Sequence, residues 1–540
     1  MSRQGKYIIV GLVLIACIAV AVIFRNWQSS SSKSRNSGNF TSSTQALREA
    51  KATEMVELKS GDVYDLVAEP VVKEINGARV RMLAYNGSVP GPTIRVAQGA
   101  EVTIRFTNKI DIPTTIHSHG VRVRNEFDGV PGVTQPEVKP GESFDYTLAF
   151  PDSGVFWYHP HLREDYTQDL GMYGNFIVTP KDAGEYAPVN REVPLVLDDV
   201  LMQNGAIAPY FSDTVDHALM GRFGNVMLVN GSSDYTLSAQ PGEVVRMYLT
   251  NAAGTRVFRF GISGAKLKLV GSDNGAYERE QAVDTVTLGP SERAIVDVYF
   301  GRSGQAYIEN RMPNETVILG KVAVGGSAVA TSYKKEFDVL RTYKNVIASI
   351  DPYRTGLNKA PDKTIDFTIA MGGMDGGMHM NMGGGTHQMS DGSTMANSMM
   401  IPASQLGPDG IEWEDKHGSM SSQSTSKTLT WKVVDTATGR SNMDIDWRFK
   451  KGDVVKVRVT NDAHSMHPMQ HPLHFHGQRF LVAGVNNKPQ TNLAWKDTVL
   501  IPAGTTVDLL VEMSNPGDWM AHCHIPEHME SGMMFGFKVE

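Results

Sequence analysis

Residues 99–108 read Gly-Ala-Glu-Val-Thr-Ile-Arg-Phe-Thr-Asn, and closely similar stretches recur at residues 241–251 and 451–461. Each stretch starts with a glycine turn and continues as a strand in which apolar and polar residues alternate, so that Val102 and Phe106 face one side of the sheet. Short alternating strands separated by Gly/Pro turns are typical of antiparallel β-sandwiches. The sequence therefore predicts an all-β protein built from three repeated units.

Length and composition agree with three repeated units and limit the classes of partner that the protein can have. A chain of 540 residues is too long for one ordinary core, so three domains are expected. The net charge of -7 is modest and no basic stripe is present, which argues against a nucleic-acid partner. Cys17 and Cys523 are far apart in sequence, and no internal disulfide framework is expected.

Histidines are concentrated in four short strings near the repeated strands. In an alternating His-x-His sequence on a strand, both imidazoles project from one face, with their Cα atoms about 6–7 Å apart. Imidazoles combined with a soft thiolate and a thioether suit copper among the transition metals. The strings are His117-Ser-His119, His159-Pro-His161, His471-Pro-Leu-His474-Phe-His476 and His522-Cys523-His524, followed by His528 and Met533.

The middle repeat provides an internal comparison because it lacks these histidines. Where the outer repeats carry their first His-x-His, it reads Phe258-Arg-Phe260, and Glu309 stands where the second would begin. The fold therefore does not require histidine at these positions. Because a buried, unpartnered imidazole destabilises a protein, metal binding explains the histidines of the outer repeats better than packing does.

From about residue 55 to the C-terminus, these strings resemble the multicopper oxidases, since all four motifs occur in the expected order. The resemblance implies three cupredoxin-like Greek-key β-sandwich domains after an N-terminal membrane segment. We place them at residues 53–183, 190–335 and 360–540, and we expect the middle domain to hold no copper.

The resemblance also implies four copper ions per chain. Cys523 lies between two cluster histidines, which implies a short covalent path for electrons from the type 1 copper to the site where O2 is reduced to water. The implied ligands are His471, Cys523, His528 and Met533 for type 1 copper, His117 and His474 for type 2 copper, and His119, His159, His161, His476, His522 and His524 for the type 3 pair.

Reduction of O2 to water also requires protons. Asp128 matches a carboxylate that members of this family place near the cluster, and Glu530 is a second candidate for a proton relay. An Asp-Gly pair can equally form a turn, which is the alternative for Asp128. Some copper-oxidising relatives carry an acid directly after the second type 1 histidine, whereas this chain has Met529 there.

A methionine-rich insert at residues 371–400 indicates the reducing substrate. It contains nine methionines and eight glycines, a composition that no packed helix would tolerate. Thioether sulfur selects Cu(I), so Met371, Met374, Asp375 and, nearer the type 1 ligands, Met469 are candidates for a substrate Cu(I) site. The alternative is a linker that only covers the type 1 site.

The sequence thus favours a monomeric oxidase that converts Cu(I) to Cu(II) with O2 as acceptor and supports copper tolerance. A second possibility is a laccase-like oxidase whose small reducing substrate is a phenol, Fe(II) or Mn(II). A third, from another class, is a non-catalytic copper-storage protein.

The N-terminus predicts export. Residues 1–27 contain an apolar run, Tyr7 to Phe24, long enough for a short membrane anchor, and residues 28–52 form a serine-rich linker. A cleaved signal peptide and a lipoprotein signal at Cys17 are the alternatives. We expect a bacterial protein tethered at the periplasmic or extracytoplasmic face of the membrane.

Overall fold

The computed structural model of the chain describes residues 38–182, 184–371, 387–388, 394–395, 407, 409–415 and 418–540. The predicted anchor at residues 1–27 and most of the methionine-rich insert, with Met374 and Asp375, lie outside the described residues. In the ranges described, no helix is both long and apolar enough to cross a membrane. These ranges consist mainly of β-strands in multiple sheets, which confirms the all-β prediction.

The first repeat forms a four-stranded sheet in the order β3-β2-β5-β7 and a five-stranded sheet in the order β1-β4-β9-β8-β6, which share one core. In β5, Val102, Ile104 and Phe106 are buried and the residues between them are more exposed, as their alternation predicts. Strands β1 to β9 span Met55–Glu57, Val63–Ile75, Ala78–Tyr85, Thr93–Ala97, Glu101–Asn108, His117–His119, Ser143–Ala149, Gly154–His159 and Gly174–Thr179.

The middle repeat forms sheets in the orders β13-β10-β15-β20-β17-β18 and β14-β22-β21-β16-β19, and the short hairpin β11-β12 packs against β3 of the first repeat. Its repeated strand β15 is buried along its whole length. Strands β10 to β22 span Arg191–Val200, Met202–Gln203, Ala206–Ile207, Val226–Val229, Tyr235–Ala239, Glu243–Asn251, Phe258–Ser263, Lys266–Ser272, Gly275–Val283, Val286–Leu288, Arg293–Phe300, Gly304–Arg311 and Thr316–Val324.

The last repeat forms sheets in the orders β26-β23-β28-β34-β30-β31, with β32 also paired to β30, and β27-β36-β35-β29-β33. The short pair β24-β25 lies within the insert. Strands β23 to β36 span Lys363–Met371, His387–Gln388, Thr394–Met395, Leu429–Asp435, Trp447–Phe449, Asp453–Asn461, His471–Phe475, Arg479–Val485, Lys488–Pro489, Trp495–Lys496, Thr498–Ile501, Thr505–Met513, Gly517–Cys523 and Met534–Val539.

The helices are short, and two of them follow histidine strings. Helices α1 and α6 pack against each other, so the segments after His161 and His524 meet between the first and last repeats. Helices α1 to α6 span Glu164–Thr167, Lys334–Phe337, Lys344–Ile350, Arg354–Leu357, Gly418–Ser421 and Pro526–Glu530, and 3-10 turns span Asn125–Phe127, Asp351–Tyr353 and Asn442–Asp444.

The middle repeat also contributes to the cores of its neighbours. Ala218 and Leu219, from the loop between β12 and β13, are buried in the core of the last repeat. Val196 and Leu228 are buried in the core of the first. All three repeats therefore pack together around the junction where the histidine strings lie.

Candidate metal centre

The first and last repeats position their histidines through the same strand pairing. Strand β6 pairs antiparallel with β8, which sets His117 opposite His159. Strand β29 pairs antiparallel with β35, which sets His474 opposite His522. Side chains of directly opposed residues project on the same face with their Cβ atoms about 5 Å apart. Each repeat thus presents a compact group of imidazoles to the other.

The structure brings together all eight imidazoles predicted for the type 2 and type 3 coppers. They form three groups, two of which share His119, and in each group the three ligand nitrogens lie within 4.8 Å of one another. Every group mixes residues of the first and last repeats, so neither repeat alone forms a complete site. The groups are His119 with His159 and His524, His161 with His476 and His522, and His117 with His119 and His474.

Backbone carbonyls fix the tautomers of several of these rings. The Nδ1–H groups of His117, His474 and His522 donate to the carbonyl oxygens of Asp128, Asp497 and Cys523 at 2.7, 2.9 and 2.9 Å. A carbonyl can only accept, so the Nε2 atoms of these rings carry lone pairs. In the described residues, Nε2 of His117 and of His474 has no hydrogen-bond partner although both atoms are buried.

One contact between two histidines shows that this centre fits a cation. Nε2 of His476 lies 2.9 Å from Nε2 of His522, while the Nδ1–H of each ring donates to another acceptor. Two lone pairs that face each other repel unless a cation lies near both. Buried nitrogen lone pairs directed at shared points are the donor set that copper requires.

Burial keeps seven of these imidazoles neutral. It lowers the pKa of His476 to about 4, with His117 adding to the effect. Burial, and then positive charge on neighbouring imidazoles, holds the pKa well below the usual range at His119, His159, His161, His474, His522 and His524. Since the neutral ring is the form that binds metal, the pocket favours metal over protons.

Asp128 lies beside two of the rings, at the end of the 3-10 turn Asn125–Phe127. Its Oδ2 accepts from Nδ1–H of His476 at 2.9 Å, and its Oδ1 lies 3.4 Å from Nδ1 of His117. Burial alone would raise the pKa of Asp128, but its electrostatic interactions and hydrogen bonds with the His476 and His117 rings outweigh burial, and the pKa is lowered. An ionised Asp128 therefore orients two predicted ligands.

The predicted type 1 residues form a second buried group. Sγ of Cys523 lies 3.6 Å from Nδ1 of His471 and 3.8 Å from Nδ1 of His528. The two Nδ1 atoms are 3.2 Å apart. Burial raises the pKa of the Cys523 thiol, so forming the thiolate here requires a metal ion to displace the proton.

Met533 lies next to this group through the backbone. The Cys523 N–H donates to the Met533 carbonyl at 3.0 Å, and the Met533 N–H donates to the His528 carbonyl at 2.9 Å. The Met533 side chain is fully buried in the same core. Like the roles of His471, Cys523 and His528, its role as a type 1 copper ligand stays a prediction.

Cys523 also connects the two groups along the chain. Its neighbour His522 belongs to one three-histidine group, and its other neighbour His524 belongs to a different one. The thiol is therefore joined to both groups by a few covalent bonds. This arrangement suits the transfer of single electrons from the cysteine site to the histidine site.

Glu164 is a residue that sequence reasoning missed. Its Oε1 lies 3.5 Å from Nδ1 of His161 and its Oε2 lies 3.9 Å from Nδ1 of His159. Burial, with nearby Glu530 and Asp165, raises its pKa well above the usual range. The only sequence signal was an acid three residues after His161. The predicted relay residue Glu530 accepts from the Arg163 backbone N–H at 3.2 Å.

The candidate substrate residues fall in different places. Met371 is the last residue of β23, where its backbone pairs with Leu429. Met469 is fully buried in the core of the last repeat, and its carbonyl accepts from the Asn461 side-chain amide at 2.7 Å. The proposed Cu(I) role of these residues stays a prediction.

The middle repeat uses the equivalent positions for packing and ion pairing. Phe258 and Phe260 are buried in its core, and Glu309 pairs with Arg311 at 2.8 Å. Within the part of the chain that the structure describes, no metal-ligand group includes a residue of this repeat.

Comparisons with known proteins agree with this geometry. Family models described as multicopper oxidase match residues 67–183, 182–322 and 416–540. The chain is 23% identical to copper resistance protein A of Escherichia coli, with 89% of this chain and 93% of that protein covered. It is 26% identical to laccase-15 of Oryza sativa subsp. japonica, with coverage of 87% and 90%.

A solved structure shows the same fold. The crystal structure of a multi-copper oxidase from Pseudomonas thermotolerans superposes with a TM-score of 0.64 at 25% identity. The match covers 89% of this chain and 100% of that one.

Proposed function

This chain belongs to the multicopper oxidase family and is a copper-dependent oxidoreductase, and we propose that its reducing substrate is Cu(I). Four Cu(I) ions would each give up one electron, and one O2 with four protons would yield two waters and four Cu(II) ions. Such a reaction would serve copper tolerance by removing Cu(I).

Four resident copper ions would occupy the two groups of ligands. His471, Cys523, His528 and Met533 would hold one ion, and His117 with His474 would hold another. The two remaining ions would each be held by three histidines, in the groups of His119 and of His161. When bound, copper supplies one-electron redox chemistry at the first site and reduction of O2 at the other three.

One observation carries the choice of substrate: the methionine-rich insert begins at the end of β23 and lies in the connection from β23 to β26, and both strands pack on the type 1 site. Phe367 of β23 lies 5.2 Å from His471, between ring centroids. Trp431 of β26 lies 4.9 Å from His471 and 4.4 Å from His528. Ile369 pairs with Trp431, and Met371 pairs with Leu429 at the start of the insert.

The insert begins at Met371, two residues after Ile369, which is the residue paired with Trp431. Two residues span about 7 Å along a strand. We propose that thioethers of Met371 and Met374, with the carboxylate of Asp375, collect Cu(I) in this insert, since thioether sulfur selects Cu(I). Met469 lies two residues before the predicted type 1 ligand His471 and supplies a further candidate thioether.

The test measures O2 uptake by the copper-loaded, full-length protein with Cu(I) and with a phenol as alternative donors. A length-preserving variant changes every methionine from 374 to 400 to leucine, and a second variant lacks residues 372–400. We expect the leucine variant to lose Cu(I) turnover about tenfold or more while phenol turnover is unchanged, because only the thioethers are removed. Deletion should also raise phenol turnover, because it uncovers the site.

The possible results separate the candidate functions. Equal Cu(I) turnover in the wild type and the leucine variant would reject the Cu(I) site and favour a laccase-like oxidase. Copper-replete protein that consumes no O2 with either donor would indicate copper storage instead.

Met469→Leu tests the individual residue. Leucine has nearly the same volume, so the stability cost should stay below about 1.5 kcal/mol. We expect slower Cu(I) oxidation and unchanged phenol oxidation. The matched control is Met513→Leu, a second fully buried methionine of the same core, and equal effects of the two substitutions would remove Met469 from the site.

Asp128 and Glu530 would relay the four protons. Asp128 is hydrogen-bonded to His476, and Glu530 lies in α6 against the helix that carries Glu164. Both carboxylates lie at the junction of the first and last repeats, where protons are consumed.

The site would operate outside the cytoplasm. We propose an exported monomer tethered to the membrane by residues 1–27, with its copper sites on the periplasmic or extracytoplasmic side. Cell fractionation of the full-length chain and of a variant lacking residues 1–27 would test this placement.

A further inference from the structure

Arg293 connects all three repeats at a single buried guanidinium group. The residue opens β20 of the copper-free middle repeat, and its side chain is 0% exposed. Its Nε–H donates to the carbonyl of Val155 at 2.9 Å, on strand β8 of the first repeat. Its Nη1 donates to Oδ1 of Asp497 in the last repeat at 2.7 Å, and its Nη2 donates to Oδ2 of the same carboxylate.

Asp497 in turn holds two predicted copper ligands. Its Oδ1 accepts from Nε2–H of His119 at 3.0 Å, and its carbonyl accepts from Nδ1–H of His474 at 2.9 Å. Among the described residues, Nδ1 of His119 and Nε2 of His474 have no partner. The Thr498 hydroxyl lies 2.8 Å from the same Nε2 of His119 and itself donates to Oδ1 of Asp497 at 2.9 Å. Asp497, directly and through Thr498, therefore determines which nitrogen of each ring is available to a metal.

The backbone beside His119 leaves room for this ion pair. Gly120 has a φ of 79°, and a Cβ atom there would lie 2.2 Å from Oδ2 of Asp497 and 2.8 Å from Nη2 of Arg293. Any other residue at position 120 would displace the pair. The His-x-His-Gly motif of the first repeat is thus shaped to admit a contact between the middle and last repeats.

A second ion pair secures the same contact. Nζ of Lys496 lies 3.1 Å from Oδ2 of Asp273 and 3.3 Å from Oε1 of Glu292, both in the middle repeat. Lys496 and Asp497 are adjacent in the last repeat, and each forms an ion pair with the middle repeat. A planar guanidinium that binds a carboxylate through two parallel N–H bonds also fixes its rotation.

From this geometry we infer that Arg293, in the repeat without copper, is a positioning residue for the copper-binding histidines and acts through Asp497. The inference rests on the proposed occupancy of the histidine groups by copper. Loss of the two-bond contact would let the Asp497 carboxylate rotate and release the His119 ring. The middle repeat would then control copper loading of a site whose ligands it does not supply.

Arg293→Lys tests this role because lysine keeps the charge but lacks the two-bond contact. We expect copper affinity of the histidine groups to fall about 10- to 100-fold, as is typical when a residue orienting a metal ligand is changed. Competition with a copper chelator measures the affinity. Electron paramagnetic resonance of the His117/His474 copper reports its altered geometry. Copper at Cys523, followed by its visible thiolate absorption, should remain.

Arg246→Lys is the matched control. Arg246 is a buried arginine of the same sheet that also binds one carboxylate, Asp297, through two bonds, at 2.8 and 3.0 Å. A purely structural role for Arg293 predicts equal effects of the two substitutions on copper affinity and spectra. Normal copper content and an unchanged spectrum in Arg293→Lys would overturn the inference.

Asp497→Asn decides the question if Arg293→Lys does not fold. We expect it to cause the same selective copper loss. Where Arg293→Lys does fold, the double variant should lose little more than either single variant, because the two residues act as one unit. Independent, additive losses would contradict the inference. These readouts use neither O2 nor Cu(I) as substrate, so failure of the proposed oxidase function would leave their interpretation unchanged.

Discussion

At the scale of single residues, Asp128 both ends a turn and contacts two predicted copper ligands, so the turn that the sequence offered as the alternative to a proton relay does not exclude a role beside the histidines. It ends a turn, and its carboxylate also accepts a hydrogen bond from His476 and lies near His117. Gly129 permits this arrangement, because a Cβ atom at that position would lie 1.9 Å from the Ile116 carbonyl oxygen. The turn is therefore what carries the carboxylate to the histidines.

Two substitutions at Asp128 separate orientation from proton transfer. In Asp128→Asn, the amide oxygen can still accept from His476, so copper content should be retained while O2 consumption falls about 100-fold for lack of a proton carrier. In Asp128→Ala, the acceptor is lost and copper binding should weaken about 10- to 100-fold as well. Copper analysis and O2 uptake measure these effects, and full activity of Asp128→Asn would rule out a relay at this residue.

The buried imidazoles predict how the copper-free protein responds to acid. The pKa of His476 is lowered to about 4 and that of His471 to about 3, against 6.5 for a free imidazole. As pH falls below about 6.5, the unfolded chain binds protons that the folded chain excludes, so the free energy of unfolding decreases. Urea unfolding between pH 7.5 and 5.5 should show this loss.

His476→Gln isolates one contribution to that slope. It should make the decrease in unfolding free energy with falling pH shallower, since one imidazole no longer titrates in the unfolded chain alone. His464→Gln, at an exposed position, is the control. An unchanged slope in His476→Gln would show that this ring is protonated in the folded state.

At the scale of strands, the local sequence pattern predicted side-chain direction, whereas burial on both faces and contacts between distant residues depend on the three-dimensional pairing. The sequence predicted the alternating burial of residues 101–108 and the projection of both imidazoles of each His-x-His from one face of a strand. Both predictions were possible because side-chain direction in a strand has a period of two. The full burial of β15 was not, since it depends on neighbours that cover both faces. Asp497 was missed because its partners His119 and Arg293 lie far away in sequence. Glu164 was missed because a single acid three residues after His161 is a weak signal in a sequence.

Strand β26 contributes Trp431 as a wall of the type 1 site, and its indole Nε1–H donates to the Ala218 carbonyl at 2.8 Å. Trp431→Phe should cost about 2–4 kcal/mol from the lost volume and the unmet carbonyl. We also expect a shifted thiolate absorption, because the rings of His471 and His528 lose their neighbour.

Trp447→Phe is the control for that substitution. Trp447 is buried in the same core and donates to Asp435 at 3.1 Å, yet it does not contact the type 1 histidines in the described structure. A similar loss of stability without a spectral change is expected. If both variants kept the wild-type spectrum, β26 would not shape the copper site.

At the scale of the whole molecule, the copper ligands join parts that are distant in the chain. The three-histidine groups each combine the first and last repeats, while Arg293 ties the middle repeat to both. The loop carrying Ala218 and Leu219 also enters the last core. The motifs in the sequence predicted the site shared by the first and last repeats. For the middle repeat the sequence predicted only that it holds no copper, and it did not predict the contacts of Arg293, Ala218 and Leu219 with the other repeats.

Removing copper should therefore weaken the association of the repeats as well as the sites. A ligand that binds only the folded form stabilises it, by about 4 kcal/mol when its concentration is 1,000 times its dissociation constant. Because each histidine group spans two repeats, we expect copper-loaded protein to unfold calorimetrically in one transition. Copper-free protein should unfold at lower temperature, in two or more resolved transitions, as the repeats lose their shared ligand and each core melts separately. Readdition of copper should restore the single transition. A single transition at the same temperature with and without copper would show that the ion pairs and shared cores alone couple the three repeats.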